Sequence, residues 1–180
     1  MAVTRWLRVT CAALLVATMI TACDTKSQFE PSLPPEAGFR VDGGVLKLWT
    51  GTPCAGVTGV TLTFDSGTKQ STSQVWAAPQ PGVTVERMDL LGGAAADGPL
   101  QVQKPLPAEY DWTKAGSIVF YVNGPTSNGA TADVAQVLRE SAQHPSGSFL
   151  FGKSGWLDAA GVQRENTKSF LTICTPDPNK

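Results

Sequence analysis

Val60-Thr61-Leu62-Thr63-Phe64 alternates apolar and hydroxyl side chains without a break. Successive side chains of a strand point to opposite faces. Val60, Leu62 and Phe64 therefore fall on one side and the two threonines on the other, as in a half-buried strand. Asp65-Ser66-Gly67-Thr68 follows with the residue types of a turn, and Ser73 to Ala77 supplies the returning strand of a hairpin. One face of this hairpin needs a covering layer, because a lone hairpin is marginal in water.

Working outward, the same reading recurs. Val45 to Trp49 is a strand of mixed facing. Val83 to Leu91 places Val83 and Val85 inward and then changes phase to Met88 and Leu90, which predicts a bulge near Glu86-Arg87. Ile118 to Val122 is continuously apolar, as for a central strand covered on both faces. Phe149 to Phe151 and Phe170 to Cys174 are two further short strands. One helix interrupts the pattern over about residues 131–144. Thr131 or Asp133 caps it, Val134, Val137, Leu138 and Ala142 make its apolar stripe, and Pro145 and Gly147 stop it. The 18 glycines and 13 prolines fall mostly between strands. The fold class is mainly β: an antiparallel β-sandwich-like single domain with one helix. The alternative is an α+β arrangement with that helix packed on one sheet face.

The first residues carry a different message. Arg5 and Arg8 are the only charges before position 24, an apolar run from Ala12 to Ile20 follows, and the stretch ends Ile20-Thr21-Ala22-Cys23. This is the layout of an export signal, too short and too interrupted by Thr10, Thr18 and Thr21 for an ordinary membrane span. The tetrapeptide resembles the lipobox of bacterial lipoproteins. The resemblance covers the signal alone and implies that residues 1–22 are removed. It also implies that diacylglycerol is attached to the Cys23 sulfur and that the mature protein sits on the extracytoplasmic face of the cell membrane. Two or three acyl chains hold such a protein firmly, at about 0.8 kcal/mol per buried methylene. There is no adjacent Arg-Arg pair of the twin-arginine type. Residues 23–38 are polar, carry three prolines and read as a tether. Residues 39–176 read as one globular domain, and residues 177–180 as a tail.

Charge and cysteine use agree with that address. Without Arg5 and Arg8 the 14 basic residues fall to 12 against 15 acidic ones, a net charge of −3 for the chain from Cys23 onward. Nucleic acid needs a basic face, and adhesion to anionic lipid needs a basic patch; neither is present in this balance. Cys54 and Cys174 remain once Cys11 leaves with the signal and Cys23 is acylated. In an oxidising compartment two remaining cysteines are expected to pair, tying the first loop of the domain to its last strand. A metal site would need further ligands, and His144 is the only histidine.

Three motifs bear on chemistry. Gly147-Ser148-Phe149-Leu150-Phe151-Gly152-Lys153-Ser154 satisfies the phosphate-binding expression G-x-x-x-x-G-K-[ST]. A working phosphate loop follows a strand and opens a helix; here Pro145 precedes it and three large apolar residues fill it, so it reads as a strand ending in a turn, with no nucleotide. Ser66 to Lys69, Tyr121-Val122-Asn123 and Lys153-Ser154-Gly155 resemble, in that order, the three motifs of penicillin-binding proteins and serine β-lactamases. That resemblance implies serine acyl transfer, but Ser66 sits in a turn where the family needs a buried helix. Glu109-Tyr110-Asp111-Trp112 is the nearest local pair of carboxylates and reads as a turn with aromatic packing.

Trp49, Trp76, Trp112 and Trp156 each lie near a turn residue and are candidates either for a binding surface or for the core. The sequence thus leads to an extracytoplasmic, membrane-anchored lipoprotein with no catalytic residues and no cofactor or metal. Its expected role is to bind another envelope protein. The alternatives are a carrier of lipid or of a small apolar or glycan ligand and, behind them, a serine acyl-transfer enzyme.

Overall fold

The computed structural model describes residues 31–92, 99–126 and 128–179. The chain enters through β1 (Pro35–Glu36) and continues through β2 (Gly38–Asp42), β3 (Val45–Val57), β4 (Gly59–Phe64), β5 (Thr72–Ala77), β6 (Val83–Leu91) and β7 (Gln101–Lys104). After a single 3-10 turn at Trp112–Lys114 come β8 (Ser117–Asn123), β9 (Gly129–Asp133) and α1 (Val134–Glu140). The remainder is β10 (Phe149–Phe151), β11 (Gly155–Leu157), α2 (Ala159–Glu165) and β12 (Leu171–Thr172).

Two five-stranded antiparallel sheets pack face to face, with strand orders β11-β10-β2-β3-β6 and β7-β5-β4-β8-β9. The expected β-sandwich is the architecture found. β4 lies at the centre of the second sheet, in unbroken register with β5 and β8; Leu62 stands opposite Gln74 on one side and Phe120 on the other. Val60, Leu62 and Phe64 are fully buried and the threonines between them are half-exposed. Across the interface they meet Phe39, Leu46, Leu48 and Leu150 of the first sheet in one cluster. Burying one such side chain contributes about 1.5–3 kcal/mol.

The phase change in β6 has a partner cause. Val85 pairs with Cys54 and Arg87 with Trp49, so residues 50–53 of β3 stand against Glu86 alone. Gly51 makes this possible: its φ is +83°, and a Cβ there would meet the Thr172 methyl at 2.6 Å. Two expectations need correction. Cys54 lies within β3, not in a loop. β8 is covered on one face only: Ile118, Phe120 and Val122 are buried, Val119 is half-buried, and Tyr121 is 39 % exposed.

The predicted helix is shorter than its expected bounds. β9 takes Thr131, and Asp133 caps α1 by accepting from the Gln136 N–H at 2.6 Å. After Glu140 the chain tightens into a 3-10 turn at Ser141–Gln143, so Ser141 is buried and Ala142 exposed. The Ser141 hydroxyl accepts from the Val41 N–H, joining helix to sheet. A second helix, α2, was not expected. It carries one large apolar residue, Val162, too few for a stripe, and packs with Phe170 against Trp49, Phe149 and Phe151. The first sheet is therefore covered on both faces. Gly38 is required between these rings, because a Cβ there would lie 2.5 Å from Phe149 and from Phe151.

The C-terminal segment is bound by a covalent and a polar lock. Cys54 and Cys174 form a disulfide, 120 residues apart in sequence with Cα atoms 5.2 Å apart. Beside it runs a chain of hydroxyls: Thr52 to Thr172 at 2.6 Å, Thr172 to Thr175 at 2.6 Å, and the Asn166 amide donating to Thr175 at 2.9 Å. Ser32 donates its N–H and its hydroxyl to Asp177, each at 2.6 Å, so the two ends of the described chain meet. Packing against the domain includes residues upstream of Phe39, with Ala37 buried and Glu36 in a strand. Among the described residues no helix is long and apolar enough to cross a membrane.

Closing a loop of this length is worth about 4–5 kcal/mol in the chain-entropy model. Replacing both Cys54 and Cys174 with Ser is expected to lower unfolding stability by about 2–5 kcal/mol, seen as a lower urea midpoint with Cys54-to-Cys174 closure lost.

Candidate functional site

The four tryptophans differ in how far they are packed: Trp49 and Trp76 are buried, Trp112 and Trp156 half-buried. Trp49 is 3 % exposed, lies 5.7 Å from Phe149 and 5.4 Å from Phe151 between ring centroids, and has the Arg87 guanidinium over it at 4.9 Å. Trp76 is 4 % exposed in the main core. Trp112 is half-buried, 6.4 Å from Phe64. Trp156 stacks on His144 at 4.5 Å, donates to Glu140 at 3.0 Å, and has the Arg40 guanidinium over its ring at 5.9 Å.

Nor do the acyl-transfer motifs meet. Ser66 lies in the loop leaving β4 at Phe64, whereas Asn123 pairs with Gly59 at the other end of that strand, about 17 Å away at 3.4 Å per residue. Lys153 and Ser154 lie in a 3-10 turn between β10 and β11, in the other sheet. The phosphate-binding expression is a buried strand and that turn. Phe149, Leu150 and Phe151 are at most 5 % exposed, and β11 stands where a helix would have to follow. In the Glu109 to Trp112 stretch, Asp111 accepts from the Thr113 N–H and hydroxyl. That hydroxyl, with Lys114, holds the Asp111 carboxyl below its ordinary range, the opposite of a general acid. Tyr110 packs 5.7 Å from Phe64. Arg40, 4 % exposed, is satisfied structurally: it donates to the carbonyls of His144, Pro145 and Ser148 and to Asp42.

One carboxylate stands apart. Glu36 is 6 % exposed. Its Oε1 accepts from the Lys153 N–H at 3.3 Å, while its Oε2 has no hydrogen-bond partner among the described residues. Burial pushes its carboxyl above the ordinary value, partly opposed by the Ser154 hydroxyl and the Lys153 amide. Gly152 allows the approach, since a Cβ there would lie 2.7 Å from Oε1. No motif marked this residue, because its burial comes from β12 and the Gly152 turn, far away in sequence.

The surface that remains is the outward face of the second sheet. The register aligns Gly129, Tyr121, Thr61, Val75 and Lys104 in one row across five strands. The next outward row is Thr131, Val119, Thr63 and Ser73. Thr61, Thr63, Val75 and Val119 are half-exposed, and their centre holds no charged side chain. Within these two rows the charge is Lys104 on β7, which reaches Ser73 at 3.4 Å; at their margin stand Asp133 on β9 and Asp65, whose carboxylate accepts from the Ser117 N–H at 3.1 Å. An exposed antiparallel face ordinarily carries charged cross-strand pairs; this one has hydroxyls, small aliphatics and a tyrosine. The alternation in Val60 to Phe64 was visible in sequence, and the threonine side is half-exposed. The lipidation candidate Cys23 lies outside the described residues.

No family model matches this chain, and no curated protein or solved structure is significantly similar to it.

Because the Glu36 carboxyl is raised above its unfolded value, the folded state binds its proton more tightly than the unfolded state does. The favourable contribution is present below the unfolded value, at pH 4 and under, and is lost as pH rises through the raised one. Glu36→Gln is expected to remove this fall. The stability of the variant relative to the parent should rise as pH increases from 4 to 8, measured by urea unfolding at each pH.

Proposed function

We propose that this chain is a lipid-anchored, extracytoplasmic interaction module of a bacterial cell envelope. In this reading Cys23 is acylated, the polar segment after it is a tether, and the sandwich presents the outward face of its second sheet to a protein partner. The observation that carries the reading is the contrast between the two sheets. One has α2 and the Phe170 segment over its outer face, while on the other, among the described residues, the outward Thr61 and Val75 are half-exposed. Several further features support it. A disulfide joins the two cysteines left to the mature domain, as suits an oxidising compartment. The tryptophans that would stack on a sugar are engaged in packing, which favours a protein over a glycan. The space between the sheets is filled by Leu62, Phe64 and Phe120, all fully buried, which places a partner-binding role ahead of a lipid carrier.

Anchoring is tested by Cys23→Ser in cells. The parent is expected in the membrane fraction, with incorporation of a labelled fatty acid. The variant should lose the label and leave that fraction. Continued membrane attachment of the unlabelled variant would overturn the anchor.

A further inference from the structure

We propose that the seam between β1, β12 and the Gly152 turn is a pH-sensitive clasp on the entering chain, shut while the Glu36 carboxyl keeps its proton and released when the proton leaves. The seam is small. Two backbone bonds close it, from the Leu171 N–H to the Pro34 carbonyl at 3.0 Å and from the Ile173 N–H to the Glu36 carbonyl at 3.1 Å. The Lys153 N–H adds a third contact, to Glu36 Oε1 at 3.3 Å. Inside the seam Glu36 is 6 % exposed, and its Oε2 has no hydrogen-bond partner among the described residues. A neutral carboxyl tolerates that position. An ionised one spreads its charge over both oxygens, and one of them meets neither a donor nor water. Burying a charge that is not fully partnered is costly, and opening the seam relieves the cost by letting water reach Oε2.

The surrounding charges do not remove that cost. On the turn the charged group is Lys153; its side chain is exposed, and its attraction only partly opposes the effect of burial on Glu36. β12 brings Leu171 and Thr172, neither of them charged. β9, which also packs against β1, brings Asp133, a like charge engaged in capping α1. Asp177, on the segment after β12, accepts from Ser32. Among the described residues Glu36 forms no ion pair.

Release is local because both flanks are held independently. β12 stays in place through the neighbouring Cys174 bridge, through the Thr172 N–H bonded to Asn166 at 2.9 Å, and through the Thr172 hydroxyl bonded to Thr52 and Thr175. On the other flank Ala37 is 1 % exposed, and Gly38 is pinned between Phe149 and Phe151. The chain therefore pivots at Ala37. Pro31 to Glu36 leave the body, and Ser32 parts from Asp177. Freed and extended, that stretch spans about 20 Å. With Cys23 anchored as proposed above, release lengthens the tether; the clasp itself does not depend on the anchor.

The test is residue-resolved amide hydrogen exchange on the full-length chain between about pH 5 and 8, expressed as protection relative to the intrinsic exchange rate at each pH. Ordinary carboxylates are ionised across this range. The Leu171 and Ile173 amides report the seam directly. Their protection is expected to fall by about tenfold or more as pH rises, since loss of one proton changes an opening equilibrium by at most about tenfold per pH unit. The Thr58 amide, bonded to the Asn123 carbonyl in the second sheet, should keep its protection. In Glu36→Gln the seam amides should stay protected at every pH. Seam protection in the parent that does not change with pH would overturn the clasp. So would a fall that persists in Glu36→Gln, which would assign it to another group such as His144, the only histidine. A fall shared equally by Thr58 would refute local release. Cys23 enters none of these readouts, so failure of the anchor and failure of the clasp are seen separately.

Discussion

The inward side of β4 is the constraint on which the rest depends. Val60, Leu62 and Phe64 are fully removed from water, and they are removed by the other sheet, not by their own. Each sheet alone would expose an apolar face over five strands, and among the described residues neither has another element large enough to cover it. The two sheets must therefore close on one another, and the strand register follows: a one-residue slip would turn the threonines into the core and the valine, leucine and phenylalanine into water. Chain reversal, the loop at Asp65 and the position of β8 are set by that requirement.

With the core closed, the two outer faces have different fates. The first sheet carries Trp49, Phe149 and Phe151 outward, which is too much apolar surface to leave in water, and α2 with Phe170 covers it. The covering segment is short and has little cohesion of its own. Its attachment comes from the Cys54 to Cys174 bridge and from the hydroxyl chain through Thr172. The second sheet carries threonines, Val75, Val119 and Tyr121 outward. These groups tolerate water, so the fold does not require a cover there. The functional proposal thus follows from an asymmetry in how the two sheets are finished.

Glu36 shows the opposite case, a polar group drawn inside by its neighbours. The strand that carries it pairs with β12, and the turn at Gly152 closes over its carboxylate. Nothing in the local sequence from Pro34 to Ala37 differs from a solvated linker. The burial exists because the C-terminal segment, bound by the disulfide, returns to the point where the chain enters the sandwich.

Much of the architecture was legible in the sequence. Alternation is a local property, and it located the hairpin around Asp65 and the phase change in β6; residue types offered Thr131 or Asp133 as the cap of α1, of which Asp133 is the one used; the pairing of Cys54 with Cys174 was expected from the two cysteines that remain if Cys11 is removed and Cys23 acylated. What escaped was decided by segments distant in the chain. Val119 and Tyr121 read as buried because Ile118 to Val122 is continuously apolar, yet whether a strand has one covered face or two depends on what packs outside its sheet. α2 escaped because seven residues with one large apolar side chain hold no period. The half-exposed outer side of β8 and the buried Glu36 escaped for the same reason as each other: periodicity reports which side of a strand is apolar, while coverage is a property of the assembled layers.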